Sequence, residues 1–212
     1  AYDQEFPAWH YAEIIIIGCT ESRGSSFPEM SQAATAIRNK LYPLSLPHEE
    51  MQIADLGNLK VKSNPDDYYT SLSYVLKQLF EAGKKVLLIG GSQDLAYGQY
   101  MAYEDQEREI DYVQIDSRFD LEDSGINLHH KSYNHQIFRH EPSNLFQFTN
   151  LGYQSYFIDQ DQRKILEELD FTTVRYGDLH NQIEEAEPYL RTADMLSFDL
   201  SAVRHSEAPG GS

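Results

Sequence analysis

Short apolar runs that end in Gly or Asp alternate along this chain with longer amphipathic stretches, and the first of them is the run from Ile14 to Ile17 before Gly18. Strands buried on both faces of a parallel sheet give such near-continuous apolar runs, and helices connect them. The pattern predicts strands at 13–18, 51–55, 85–90, 112–115, 145–149, 173–175 and 195–198.

The stretches between these strands predict helices. The clearest is 66–83, where apolar side chains recur every three or four residues and Gly83 stands at the expected C-terminal end. Further helices are predicted at 31–41, 94–105, 160–169 and 183–190. The chain has no internal repeat, low-complexity tract or interdomain linker, so we predict a single α/β domain over 1–212 with a mostly parallel sheet flanked by helices.

Three polar segments follow predicted strands, at the edge of the sheet where parallel α/β folds bind their ligands. They are Gly90-Gly91-Ser92-Gln93-Asp94, Asp116-Ser117-Arg118-Phe119-Asp120 and Asp199-Leu200-Ser201. Two carboxylates four residues apart, as in the second segment, are common metal ligands. An arginine between them is not, because a guanidinium has only donors and stays protonated.

Composition narrows the classes of function. The chain has 17 basic and 34 acidic residues, a net charge of -17, which repels phosphate backbones and predicts no nucleic-acid partner. A single cysteine, Cys19, excludes an intrachain disulfide and is expected to be a small packed residue in a reducing compartment. The apolar runs are too short to span a bilayer. We therefore predict a cytoplasmic protein with no membrane partner.

In order and strand context, the three polar segments resemble the metal-binding loops of the ureohydrolase family, which contains arginase, agmatinase and formimidoylglutamase. Family members carry Gly-Gly-Asp-His-Ser, Asp-Ala-His-x-Asp and Ser-x-Asp-x-Asp loops that together hold two manganese ions. The sequences of the first two segments most resemble those of bacterial formimidoylglutamase-like proteins. The resemblance implies a three-layer arginase-like fold that is incomplete at its C-terminus, a homo-oligomer, and a small amidine or amino-acid ligand.

The departures from the family pattern concern the metal ligands. Carried over by position, the six ligands fall on Gln93, Asp116, Arg118, Asp120, Asp199 and Ser201. Gln93 and Ser201 offer only weak neutral donors, and Arg118 offers none. Arg204 also stands where the family has an aspartate. The resemblance therefore implies that Asp116, Asp120 and Asp199 are retained ligand positions and that three others are substituted.

Charge suggests what replaces the ions. An opposite-charge contact at about 4 Å contributes roughly 4 kcal/mol of attraction at an effective dielectric near 20, before desolvation. We therefore predict a salt-bridged network of Arg118 with Asp116, Asp120 and Asp199, with Arg204 adding a second positive charge. On this hypothesis no metal cofactor is expected.

Two functions remain open on the sequence. The first is a noncatalytic ureohydrolase-like protein that acts as a binding or scaffold module. The second is an active carbon-nitrogen hydrolase for a formimidoyl or guanidino compound, such as formimidoylglutamase. It would use either an altered site without metal or one divalent ion, Mn or Mg, held by Asp116, Asp120 and Asp199. His129 is a candidate proton shuttle for such an enzyme, and its alternative is an ordinary loop histidine.

Overall fold

The computed structural model describes residues 7–24, 31–46, 48, 50–60, 65–104, 106, 109–123, 125, 128–204 and 206–207 of the 212-residue chain. The chain divides into two compact units, Ala1–Ala102 and Tyr103–Ser212, which we call the first unit and the second unit. Each unit has its own parallel sheet. Within the described ranges, no helix combines the length and apolar character needed to cross a membrane.

The first unit is built on a three-stranded parallel sheet in the order β2-β1-β3. Its strands are β1 (Ile14–Gly18), β2 (Ile53–Asn58) and β3 (Lys85–Ile89), and its helices are α1 (Ala33–Leu41), α2 (Pro65–Glu81) and α3 (Leu95–Met101). The central strand β1 buries Ile15, Ile16 and Ile17. A strand covered on both faces explains why this run is uniformly apolar.

Helix α2 buries a stripe of leucines, Leu72, Leu76 and Leu79, whose spacing of four and three residues places them on one face of the helix. The turn after β3 depends on glycine. Gly90 and Gly91 have φ values of +77° and +80°, and a Cβ on Gly90 would lie 2.6 Å from the backbone nitrogen of Ala34. Only glycine meets both demands at no steric cost.

The second unit contains a four-stranded parallel sheet in the order β6-β5-β4-β7. Its strands are β4 (Ile110–Ile115), β5 (Leu145–Tyr153), β6 (Thr172–Arg175) and β7 (Met195–Phe198). Its helices are α4 (Tyr133–Phe138), α5 (Gln160–Glu168), α6 (Tyr176–Asn181) and α7 (Glu187–Thr192), with 3-10 turns at Ser155–Phe157, Ile183–Ala186 and Leu200–Ala202.

Aromatic packing forms the core between β4, β5 and the nearby helix α4. The side chain of Phe148 on β5 is completely buried. Its ring centroid lies 5.2 Å from that of Tyr112, 5.0 Å from that of Phe138 and 5.8 Å from that of Phe171. Tilted and edge-on aromatic contacts at such distances add to the free energy gained by burying the rings.

The predicted α/β class and the parallel strands are confirmed, and all seven predicted strands occur within a few residues of their expected bounds. The helices differ more. The sequence pattern did not predict α4 and α6, because six residues make too few turns for a helical period to emerge. The helix predicted at 94–105 ends at Met101, and residue 105 lies outside the described residues. The segment 183–190 divides into a 3-10 turn and the start of α7.

Candidate functional site

The second and third polar segments meet at the carboxyl edge of the second unit's sheet. Strands β4 and β7 are parallel neighbours in a register that sets Ile115 beside Phe198. The residues that follow, Asp116 and Asp199, therefore leave adjacent strand ends. This pairing of distant segments brings together carboxylates that the sequence separates.

Ser201 joins these two carboxylates through hydrogen bonds. Its hydroxyl donates to Asp116 Oδ1 at 3.0 Å, and its backbone N–H donates to Asp199 Oδ1 at 2.7 Å. Ser117 Oγ in turn donates to Ser201 Oγ at 3.0 Å. Asp116 Oδ1 also accepts from the backbone N–H of Arg118 at 2.8 Å. Protein donors thus already occupy one oxygen of each aspartate.

Asp120 completes the group that we call the acidic cluster, Asp116, Asp120 and Asp199. Its φ of 53° lies in the left-handed region, which aspartate and asparagine adopt more readily than most residues. The side chain is buried, and its Oδ2 accepts from Gln114 Nε2 at 3.0 Å. Asp120 therefore faces the interior of the second unit.

Three completely buried amide side chains hold the polar segment 116–120. We call these residues, Gln114, Asn134 and Asn150, the amide layer. Asn150 Nδ2 donates to the carbonyl of Arg118 at 2.9 Å, and Asn134 Nδ2 donates to the carbonyl of Phe119 at 2.9 Å. Asn134 also donates to the side-chain oxygen of Gln114. The sequence analysis missed this layer, although polar residues inside the apolar strands β4 and β5 were its signal.

Burial and mutual repulsion set the protonation of the acidic cluster. Burial, followed by the charge of Asp199, raises the pKa of Asp116 to about 6. Burial, followed by the charges of Asp116 and Asp199, raises the pKa of Asp120 well above its ordinary value. No ion pair among the described residues includes any of the three carboxylates. At least one carboxyl of the cluster therefore holds a proton well above the usual range for aspartate.

The structure does not place Arg118 as the sequence led us to expect. Its guanidinium lies over the ring of Phe157, 4.0 Å from the centroid, and forms no ion pair with a described residue. Asp116 and the amide layer hold the N–H and carbonyl of Arg118, while its side chain stacks on Phe157 and remains half-buried. Such stacking avoids the desolvation that a buried ion pair would cost.

The other predicted residues are placed as follows. Arg204 is exposed and likewise forms no ion pair with a described residue. Gln93 belongs to the first unit, and its Nε2 is buried without a hydrogen-bond partner among the described groups.

His129 Nδ1 accepts from the backbone N–H of Lys131 at 3.3 Å, and the N–H of His129 donates to Ser132 Oγ at 3.0 Å. His129 thus helps to shape the turn before α4, and its role as a proton shuttle stays a prediction.

Among the described residues, the acidic cluster does not form a metal-ligand set. Among the residues that the structure describes, no group of three or more His, Cys, Asp or Glu side chains is arranged to hold a metal ion. The three aspartates are near enough to raise one another's pKa, yet their oxygens accept hydrogen bonds from the protein rather than converging on one point.

The protonated cluster predicts an effect of pH on stability. Because the folded-state pKa of Asp116 and that of Asp120 are raised, the folded chain holds protons that the unfolded chain releases above about pH 4. The contribution of the cluster to the free energy of unfolding therefore falls as pH rises from about 4 through about 6, by about 3 kcal/mol for Asp116 alone. Asp120→Asn keeps the hydrogen bonds without that proton, so we expect the variant to be more stable than the wild type at pH 8.

Urea denaturation at pH 5 and pH 8 measures this difference. Asp170→Asn is the matched control, because Asp170 has a similar φ of 55° but an exposed side chain. We expect the control to change the free energy of unfolding by less than about 0.5 kcal/mol at either pH. An Asp120→Asn variant less stable than the wild type at pH 8 would contradict the assigned protonation.

Comparison with known proteins adds the family context. The model of the arginase family matches residues 12–212 of this chain. Among curated protein sequences, none matches it. The resemblance inferred from the three polar segments is confirmed by the family match.

Solved structures show the same fold at low sequence identity. Formiminoglutamase from Trypanosoma cruzi, solved with Mn2+, superposes with a TM-score of 0.82 at 16% identity, covering 94% of this chain and 73% of that one. Formimidoylglutamase from Bacillus subtilis gives 0.80 at 17% identity, with 94% and 68% covered. Arginase from Bacillus subtilis gives 0.75 at 19% identity, with 93% and 77% covered.

Proposed function

This chain belongs to the arginase family, and from that premise we propose that it is a binding or scaffold protein that does not hydrolyse amidines through a pair of manganese ions. The observation that carries the proposal is the direction of Arg118. At a position where the family resemblance implies a metal ligand, its guanidinium stacks on Phe157 and offers no lone pair to a cation.

The chemistry of the remaining donors supports the same proposal. Two manganese ions in a protein require several anionic or imidazole ligands, whereas Gln93 and Ser201 supply neutral oxygens. The hydroxyl of Ser201 is already engaged with Asp116. The donor set therefore does not fit a dimanganese centre. Hydrolysis of the family type needs metal to lower the pKa of a water molecule, so we expect no such reaction here.

Metal analysis combined with assays of turnover tests the proposal. The purified chain, incubated with excess Mn2+ and desalted, is expected to retain less than one manganese per chain. It is also expected to show no release of product from formimidoylglutamate, arginine or agmatine above a blank without protein. An active arginase assayed in parallel verifies the reagents. Retention of two manganese ions per chain, or turnover of any of the three compounds, would refute the proposal.

A second candidate is a carbon-nitrogen hydrolase that uses one divalent ion. The repulsion within the acidic cluster favours this alternative, because one cation could neutralise carboxylates that otherwise keep a proton. In that case the same metal analysis would give one Mn or Mg per chain together with measurable turnover. His129 would then be the residue to replace in a search for the proton shuttle.

Several properties of the whole protein stay predictions from the sequence. These are the small amidine or amino-acid ligand, the homo-oligomeric state, the cytoplasmic location and the absence of a nucleic-acid partner. Size-exclusion chromatography with light scattering would measure the oligomeric state directly.

A further inference from the structure

We infer that the first unit binds a small monocarboxylate in a cleft at the carboxyl ends of β1 and β2. This polar cleft has a volume of about 300 Å3 and is lined by Thr20, Glu21, Asn58, Leu59, Lys60 and Tyr68. None of these residues belongs to the acidic cluster, so the inference goes beyond the proposed function and does not depend on it.

The polar cleft lies at the carboxyl edge of the first unit's sheet, the edge at which parallel α/β sheets bind ligands. Gly18 and Asn58 are paired at the ends of the neighbouring strands β1 and β2, and the cleft opens just beyond them. Loops that follow parallel strands form a crevice at this edge of a sheet. Tyr68 stands in the first turn of α2 and closes one side of the cleft.

The charges that line the polar cleft favour an anion. Both carboxylate oxygens of Glu21 are held by the guanidinium of Arg23, with Nε donating to Oε1 at 2.7 Å. The hydrogen bonds from Arg23 lower the pKa of Glu21, and the arginine balances its charge. Lys60 is exposed and has no ion pair among the described residues. Among the described side chains of the lining, Lys60 is the one cation, and no described carboxylate pairs with it.

Two neutral hydrogen-bond donors line the polar cleft beside Lys60. Arg38 donates to Asn58 Oδ1, which leaves the Nδ2 group of Asn58 without a hydrogen-bond partner among the described residues. The hydroxyl of Thr20 is similarly unengaged there, whereas the oxygen of Tyr68 accepts from the backbone N–H of Thr20 at 3.3 Å. A carboxylate accepts from amide, hydroxyl and ammonium donors together, whereas Glu21, the carboxylate that an ammonium ligand would need, is already engaged by Arg23.

The size of the polar cleft restricts the ligand further. A volume of about 300 Å3 is at the lower end of the range for small-molecule sites, which favours a small ligand. Leu59 and the ring of Tyr68 supply an apolar wall beside the donors. A short alkyl chain that ends in one carboxylate matches this combination.

Three probes of similar size, butanoate, butanamide and butylammonium, test the inference with the full chain. Isothermal titration at low ionic strength is expected to detect butanoate, with butanamide at least about tenfold weaker and butylammonium undetectable. The affinity for butanoate should fall as NaCl is added, because an exposed cation is screened by salt. Failure to detect butanoate, or equal affinity for butanamide, would overturn the inference.

Lys60→Gln locates the effect in the polar cleft. We expect it to weaken butanoate binding about tenfold, with an unchanged circular dichroism spectrum because the side chain is exposed. Lys40→Gln, which removes an exposed lysine from α1, is the matched control and should bind butanoate like the wild type. Equal losses in the two variants would indicate a general charge effect and would also overturn the inference. Neither result depends on whether the acidic cluster holds metal, so this test can fail while the proposed function stands.

Discussion

Replacing Arg118 by histidine together with Ser201 by aspartate is expected to raise the affinity of the chain for Mn2+ roughly a hundredfold, which corresponds to about 2.7 kcal/mol. The pair of substitutions removes a fixed positive charge and adds an imidazole and a carboxylate. Both positions border the acidic cluster, where Ser201 already contacts Asp116. Isothermal titration with MnCl2 at pH 7.5 measures the change.

The control for this experiment is Arg118→Gln combined with Ser201→Asn, which removes the same positive charge but adds no strong ligand. We expect this pair to raise the affinity only a fewfold, because relief of repulsion does not supply donors. If the control gained as much affinity as the ligand-restoring pair, the substituted donors would not be what limits metal binding. If neither pair gained affinity, the acidic cluster would not be a remnant of a metal site.

Replacing Phe148 by alanine is expected to lower the free energy of unfolding by about 3–5 kcal/mol. The side chain is completely buried on β5, and its ring contacts those of Tyr112, Phe138 and Phe171. The substitution leaves a cavity at the centre of the aromatic core, which neighbours on a central strand cannot fill by collapse. Chemical denaturation followed by far-ultraviolet circular dichroism measures the loss.

Phe146→Ala is the matched control on the same strand. The side chain of Phe146 is 65% exposed near the start of β5, where the register with β4 shifts between Leu145 and Gln147. We expect its replacement to cost less than about 1 kcal/mol. Losses of similar size at the two positions would show that the aromatic cluster is not the stabilising core of the second unit.

For the acidic cluster, the sequence predicted the strands that carry the aspartates but not the hydrogen bonds between them. The strands before Asp116 and Asp199 were predictable, because a short, mainly apolar run followed by a polar stop is a local pattern. Their adjacency followed only as an expectation from parallel topology, and the pairing of β4 with β7 realises it. The hydrogen bonds of the Ser201 hydroxyl with Asp116 and Ser117 were not predictable. The partners of a hydroxyl depend on which donors and acceptors the tertiary structure brings near it.

The sequence by itself determined the α/β class, the parallel strands, the three polar segments at strand ends and the membership of the arginase family. These features depend on periodicity and local composition, which are present in any stretch of the chain. Only the tertiary structure decided the direction of Arg118, the buried amide layer and the sharing of protons within the acidic cluster. A long flexible side chain such as arginine points to whichever partner the fold presents. Here Arg118 stacks on Phe157 and remains half-buried, whereas the expected ion pairs would have required desolvation of its guanidinium.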